Sequence, residues 1–158
     1  MDIVLYQPEI PPNTGNVGRL CVATRTRLHL IEPLGFSLED KYLKRAGLDY
    51  WPWVDLVLWP DWNAFRREWP DRRLVLTSAR QGKPFHHFRF RPGDGLVFGP
   101  ETRGLPRELL EQSPDLVVNI PIPGQVRSLN LSTAAGVILY EALRQTGALD
   151  RWTEDARR

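Results

Sequence analysis

GLVFGPETRGLPRELLEQS, residues 95–113, decides the fold class of this 158-residue chain. Residues 95–99 are an apolar run of strand length, and at Gly99-Pro100 the run stops. Proline has no N–H and restricts the residue before it, so the turn that follows is stiff. From 106 to 113 the spacing of apolar residues becomes helical. A buried strand, a rigid loop and a helix in that order are half of a parallel crossover unit.

The alternation continues in both directions. Residues 2–6 (DIVLY), 28–32, 54–59, 73–78 and 116–120 read as further strands, too widely spaced for hairpins. Between them lie helix signals at 16–26, at 38–46 opened by Ser37 with Asp40 in capping-box spacing, and at 62–69 opened by Asp61. The expectation is one α/β domain over 1–158, with a mainly parallel sheet flanked by helices. The polar tail 152–158 is expected to fray. A last helix at about 130–146 is apolar on more than one face, so it needs cover on two sides. Either a second copy of the chain or other helices of the same chain can supply that cover.

Composition narrows the function classes. No apolar run approaches the roughly 18 residues of a membrane span, and the N-terminus has no secretory pattern, so a cytoplasmic protein with no membrane partner is expected. The single cysteine, Cys21, excludes an intrachain disulfide and any multi-cysteine zinc site, and its apolar neighbours make it a small buried hydrophobe. His86 and His87 lack a third ligand, so no metal is expected. Net charge is only +2, but the basic residues are almost all arginine, whose planar fork suits phosphate. That composition fits an RNA partner and equally fits a solvated surface.

Three loops carry more glycine, proline and polar residues than plain connections need, and in open parallel sheets ligands collect at strand ends. PPNTGNVGR, 11–19, follows the first strand. Its glycines allow close backbone approach, and the following helix offers free N–H groups to an anion such as an RNA phosphate. Asn13 also suits an Asx turn, and Asn16 an N-cap. The stretch lacks the Gly-Lys-Ser/Thr ending of a P-loop and the Gly-x-Gly-x-x-Gly dinucleotide pattern, which argues against nucleotide hydrolysis and hydride transfer. In the second loop, Glu101 and Arg103 stand on the Gly99-Pro100 platform, as functional groups or as a surface ion pair. In the third, IPIPGQVRSLNLST at 120–133, Ser128 and Asn130 precede the last helix and suit either capping or substrate binding.

Together, Asn-Thr-Gly-Asn-x-x-Arg at 13–19, Phe-Gly-Pro-Glu-Thr-Arg-Gly at 98–104 and Ile-Pro-x-x-x-x-x-Arg-Ser-Leu-Asn-Leu-Ser at 120–132 resemble the three motifs of the SPOUT superfamily of RNA methyltransferases. Over nearly its whole length the chain is similar to the small tRNA (cytidine/uridine-34-2'-O)-methyltransferases. That resemblance implies a C-terminal deep trefoil knot, which general topology rules would not suggest. It also implies a homodimer formed through the first and last helices, and S-adenosyl-L-methionine as cofactor, leaving as S-adenosyl-L-homocysteine. Carried over by position, Leu76, Gly99, Ile120 and Ser128 bind the cofactor. Arg19, Asn13, Ser128 and Asn130 are the catalytic candidates, and Arg19, Glu101 and Tyr140 face substrate, the anticodon stem-loop of a tRNA. Because guanidinium stays protonated, Arg19 is expected to bind a phosphate and stabilise developing alkoxide charge, with Asn13, rather than serve as a plain base.

Two features depart from the relatives. Gly18 stands where an apolar residue is expected, and 51–69 holds Trp51, Trp53, Trp59, Trp62 and Trp69, suited to packing or to base stacking. Rival readings are a 2'-O-methyltransferase of ribosomal RNA or of another tRNA position, and an RNA-binding module without catalysis. Chain length disfavours the first, since such relatives usually carry an extra RNA-binding domain, and the intact Arg19, Ser128 and Asn130 disfavour the second.

Overall fold

All seven strands of the sheet run parallel, in the order β3-β2-β1-β6-β4-β7-β5, in the computed structural model, which describes residues 1–38 and 49–155. The strands are β1 Asp2–Tyr6, β2 Arg27–Ile31, β3 Leu56–Trp59, β4 Leu74–Thr77, β5 Lys83–Pro84, β6 Gly95–Phe98 and β7 Val117–Asn119. Helices α1 Pro11–Thr24, α2 Trp62–Glu68, α3 Arg107–Gln112, α4 Leu131–Gln145 and α5 Ala148–Asp155 complete the described elements. Five strands fall within the expected runs, and β2 begins one residue before the run expected at 28–32. The two-residue β5 is too short to leave a periodic signal, and the helix expected at 38–46 lies outside the described residues.

Period-two alternation divides the core into two layers. Ile3, Leu5, Leu28, Leu30, Val75, Leu96, Phe98 and Val118 face α1 and α4, where Val17, Cys21, Ala135, Ile138, Leu139 and Ala142 meet them. Val4, Ile31, Leu74, Leu76, Val97 and Val117 face the other way, onto Phe65 of α2 and Leu110 of α3. Helices therefore cover both faces, as buried parallel strands require. Helix α4 gets its cover from the sheet and from α1. Its third side, with Thr133 and Tyr140 exposed and open space beside Gly136, is left uncovered by the described residues of this chain.

Of the polar tail, residues 152–155 belong to α5, and Trp152 packs against the first core layer; residues 156–158 lie outside the described residues.

Most of the tryptophans are accounted for by packing. Trp59, Trp62 and Trp69 pack against the second layer. Trp51 lies on α1, where a Cβ built on Gly18 would meet its ring at 2.8 Å. The glycine that departs from the relatives is thus the partner of a tryptophan. Trp53, in the short 3-10 turn Trp51–Trp53, is 71% exposed.

At the N-terminal end of the strands a buried polar relay closes the sheet. Trp59 Nε1–H donates to His29 Nδ1 at 3.0 Å, which leaves Nε2 to carry the proton and donate to Asp2 Oδ2 at 3.2 Å. Arg72 pairs with the same carboxylate. Burial pushes the Asp2 carboxyl up, but the His29 and Arg72 hydrogen bonds and the Arg72 charge outweigh it and hold it at about 2.

Candidate active site at the strand ends

The C-terminal ends of β4, β6 and β7 open into a cavity of about 1080 Å³. Its walls are Thr77–Gln81 after β4, Phe98–Arg107 after β6 and the stretch from Ile120 to Leu131 after β7. Ligands in open parallel sheets gather at this end, and the volume suits a small organic molecule of nucleoside size. Apolar surface comes from Leu105, Ile120, Ile122, Ala134 and Ile138, polar groups from Thr77, Ser128 and Asn130.

Gly99 is fixed by contact. A Cβ there would stand 2.2 Å from the Leu105 nitrogen and 2.4 Å from the Gly104 carbonyl carbon, so the loop closes backbone to backbone. Gly104, at φ +72°, makes the reversal, and its N–H donates to Pro100 O at 2.8 Å.

The first motif is not a loop. Helix α1 begins at Pro11 rather than near 16, so Asn13 lies in its first turn, Asn16 is an exposed helical residue rather than an N-cap, and Arg19 is the ninth helical residue. The early start has a physical cause. Pro11 and Pro12 need no N–H partner at the first helical positions, and the chain supplies a distant cap for the residues before them. Glu101 Oε2 accepts the Glu9 N–H at 2.8 Å and Oε1 accepts the Ile10 N–H at 3.1 Å. A carboxylate of the second motif therefore occupies the positive end of α1, the place where sequence reasoning put an RNA phosphate. Nor does Glu101 pair with Arg103, whose Nη2 donates to Gln7 Oε1 at 2.6 Å. The clasp is reciprocal: the Glu9 carboxylate accepts the Thr102 N–H at 3.0 Å and its hydroxyl at 2.9 Å.

From Glu101 a directional chain runs through all three motifs. Glu101 can only accept, so Asn13 turns its Nδ2 to it at 3.1 Å. Asn13 Oδ1 then accepts from Asn130 Nδ2 at 2.8 Å. Asn130 Oδ1 is left to cap α4, accepting the Ser132 N–H at 2.9 Å and its hydroxyl at 2.7 Å. One ionised carboxylate thus orients two amides, and both readings of Asn130, cap and site residue, apply to the same side chain.

The remaining candidates are distributed unevenly. Gly99, Glu101, Ile120, Ser128, Asn13 and Asn130 line the cavity. Ser128 is exposed, with no hydrogen-bond partner among the described residues. Leu76 does not line the cavity; it is buried in the second core layer with Leu105 and Leu110, next to Thr77 on the wall. Arg19 does not line the cavity and makes no hydrogen bond with Asn13. It is exposed on α1, its guanidinium carbon 4.6 Å above the Tyr50 ring, whose hydroxyl donates to Gly15 O at 2.7 Å. Tyr140 is 47% exposed on the open side of α4. Sequence reasoning missed Glu9 and Thr102, because a clasp between residues 93 apart leaves no local pattern. His86 and His87 are exposed and tilt against each other.

Comparison with known proteins gives a consistent set of likenesses. Residues 1–140 match the model of the SpoU rRNA Methylase family. A tRNA (cytidine(34)-2'-O)-methyltransferase of Saccharophagus degradans is 54% identical over 147 residues, covering 92% of this chain and 96% of that protein. A solved structure described as structural insights into the 2-OH methylation of C/U34 on tRNA superposes with a TM-score of 0.86 at 53% identity, over 91% of this chain and 94% of that one. The SpoU methyltransferase AviRb of Streptomyces viridochromogenes, solved in complex with the cofactor AdoMet, is 25% identical with a TM-score of 0.75, over 92% of this chain and 57% of its own.

Proposed function

This chain belongs to the SpoU rRNA methylase family, and from that premise we propose that it transfers a methyl group from S-adenosyl-L-methionine to the ribose 2'-hydroxyl of nucleotide 34 in a tRNA anticodon loop. Both C34 and U34 are included as acceptors. The observation that carries the reading is the union of Asn13, Gly99–Glu101 and Ser128–Asn130 in one hydrogen-bonded wall of one cavity.

The cavity fits the cofactor by size and by chemistry. Leu105, Ile120 and Ile122 offer apolar surface to an adenine ring, while Ser128 and the backbone at Gly99 and Ile120 offer polar groups. Leu76, packed with Leu105, backs that wall from the core. When bound, the cofactor supplies a methyl group already activated by a sulfonium charge. The protein has then to align the ribose oxygen and ease loss of its proton.

Asn130 and Asn13 spend their amides on each other, on Glu101 and on the α4 cap, so they act by holding the wall. Ser128, unengaged, is the side chain that orients the ribose. Glu101 holds the loop rather than touching RNA. The Arg19 guanidinium neutralises the phosphate next to the target and the charge growing on the ribose oxygen.

Because Arg19 projects from α1 away from its own cavity, this role belongs with a homodimer built on α1 and α4. The open side of α4 at Thr133, Gly136 and Tyr140 supports that assembly. Tyr140 then lies at the subunit junction, against RNA or the partner. The knotted C-terminal topology is part of the same reading, supported by β6 lying between β1 and β4 and by the backbone closure at Gly99.

Labelled cofactor and bulk tRNA, followed by nuclease mapping, test the proposal. A methyl group on the ribose of residue 34 is expected; one on a base, at another tRNA position or only on ribosomal RNA refutes it.

A further inference from the structure

We infer that Arg80 and Arg127 form a phosphate clamp at the cavity mouth, gripping the RNA backbone beside the nucleotide whose ribose enters the site. The inference rests on the reading of the chain as a tRNA-modifying enzyme and assigns the contact by which that substrate is held.

Four arginines line the cavity: Arg80, Arg103, Arg107 and Arg127. Two are already engaged, Arg103 with Gln7 and Arg107 with Glu111 one helical turn away. The guanidinium groups of Arg80 and Arg127 make no hydrogen bond or ion pair among the described residues, and both side chains are exposed. An exposed, unpaired guanidinium on each of two walls of one cavity suits a polyanion, because the planar fork grips phosphate oxygens two at a time.

The usual alternative for binding a phosphate is closed. In this protein the N-terminus of α1 is filled by the Glu101 carboxylate, which accepts the Glu9 and Ile10 N–H groups. An RNA phosphate brought there would meet a fixed negative charge. It is driven instead toward the free cations on the rim.

The backbone that carries Arg80 is held, and Arg127 lies near an anchored residue. Arg80 stands in a short loop between β4 and β5. The Ser78 N–H donates to Val118 O at 3.0 Å, the Arg80 N–H donates to Ser78 Oγ at 3.2 Å, and Gly82 presses on Val117, where a Cβ would lie 2.7 Å from the carbonyl oxygen. Arg127 precedes Ser128 and lies three residues before Asn130, which is anchored to Asn13. At Arg80 only the side chain has to be ordered when RNA arrives, which limits the entropic cost there.

The test measures tRNA binding by filter retention between 50 and 200 mM salt for the wild-type chain, Arg80→Gln, Arg127→Gln and the double variant. Cofactor binding is measured in parallel by calorimetry. Arg27→Gln serves as control, since Arg27 pairs with Asp55 at the opposite end of the sheet. Each single variant is expected to weaken tRNA binding roughly tenfold at low salt, as loss of a charged hydrogen bond predicts, and to reduce the slope of log K against log salt by about 0.7 to 0.9. The double variant loses about twice that slope, with cofactor affinity within twofold of wild type and the control unchanged. A tRNA slope that stays at the wild-type value overturns the clamp. So does a loss confined to cofactor affinity, which assigns the arginines to the cofactor carboxylate. Wild-type protein that methylates residue 34 while the variants keep their slope refutes the clamp alone; wild-type protein that neither binds nor methylates tRNA refutes the functional reading as well.

Discussion

Replacing Glu101 with glutamine tests whether one carboxylate organises the three motifs. The wild-type side chain accepts the Glu9 N–H, the Ile10 N–H and the Asn13 amide. A glutamine can keep the two bonds made by Oε1, but its NH₂ then faces the Glu9 N–H, donor against donor. The lost charged hydrogen bond is worth about 1.5–3 kcal/mol. Removing the negative charge from the start of α1 adds about 0.3–1 kcal/mol. Urea denaturation of Glu101→Gln should therefore give a stability loss of about 2–4 kcal/mol at an unchanged m-value. Glu101→Ala should lose more, because it strands both N–H groups. Cofactor affinity should fall in the same order, since the loop at Gly99 loses its tie to α1. A glutamine variant with wild-type midpoint and wild-type cofactor affinity would show that the clasp does not organise the site.

Four further outcomes follow from other parts of the molecule. Gly18→Ala should destabilise the wild-type chain through its clash with Trp51, yet stabilise a Trp51→Ala background by about 0.8–1 kcal/mol from helix propensity; equal signs in thermal melts of the two backgrounds refute the packing account. Asp2, held at about 2 in the fold against an ordinary 3.8, contributes about 2 kcal/mol that is complete above pH 3.8 and disappears as pH falls through about 2. An Asp2→Asn chain should lose that acid-side dependence in pH-resolved denaturation. Arg19→Ala should abolish methyl transfer and leave calorimetric cofactor binding near wild type, whereas retained activity removes Arg19 from the mechanism. Cys21, whose burial pushes its thiol up to about 12, should resist alkylation in the native protein and react only on unfolding.

Fold class was legible because two periodicities carry it. Runs such as Leu74–Leu76 and Leu96–Phe98 are apolar throughout, the mark of strands buried on both faces. The site was legible as three segments, but not as a connected wall. Asn13, Glu101 and Asn130 meet across separations of 88 and 117 residues, and nothing local encodes which amide donates to which. The start of α1 was misplaced for the same reason: its cap is Glu101, while a sequence scan looks for a neighbour such as Asn16. Arg19 could be picked out by its motif, but its distance from the cavity depends on helix phase, and that shifts when the helix begins five residues early. Gly18 and Trp51 looked like two separate oddities until contact made them one.

The two edge strands decide whether the sheet can grow by strand addition. At one margin β5 is two residues long, a lysine followed by a proline that has no N–H to offer. At the other, β3 is four residues long, with Asp55 before it and Pro60 after it. Neither margin presents a long, continuous row of donors and acceptors on which another chain could extend the sheet. Runaway strand-on-strand growth, the usual hazard of an open sheet rich in valine and leucine, is therefore blocked at both ends.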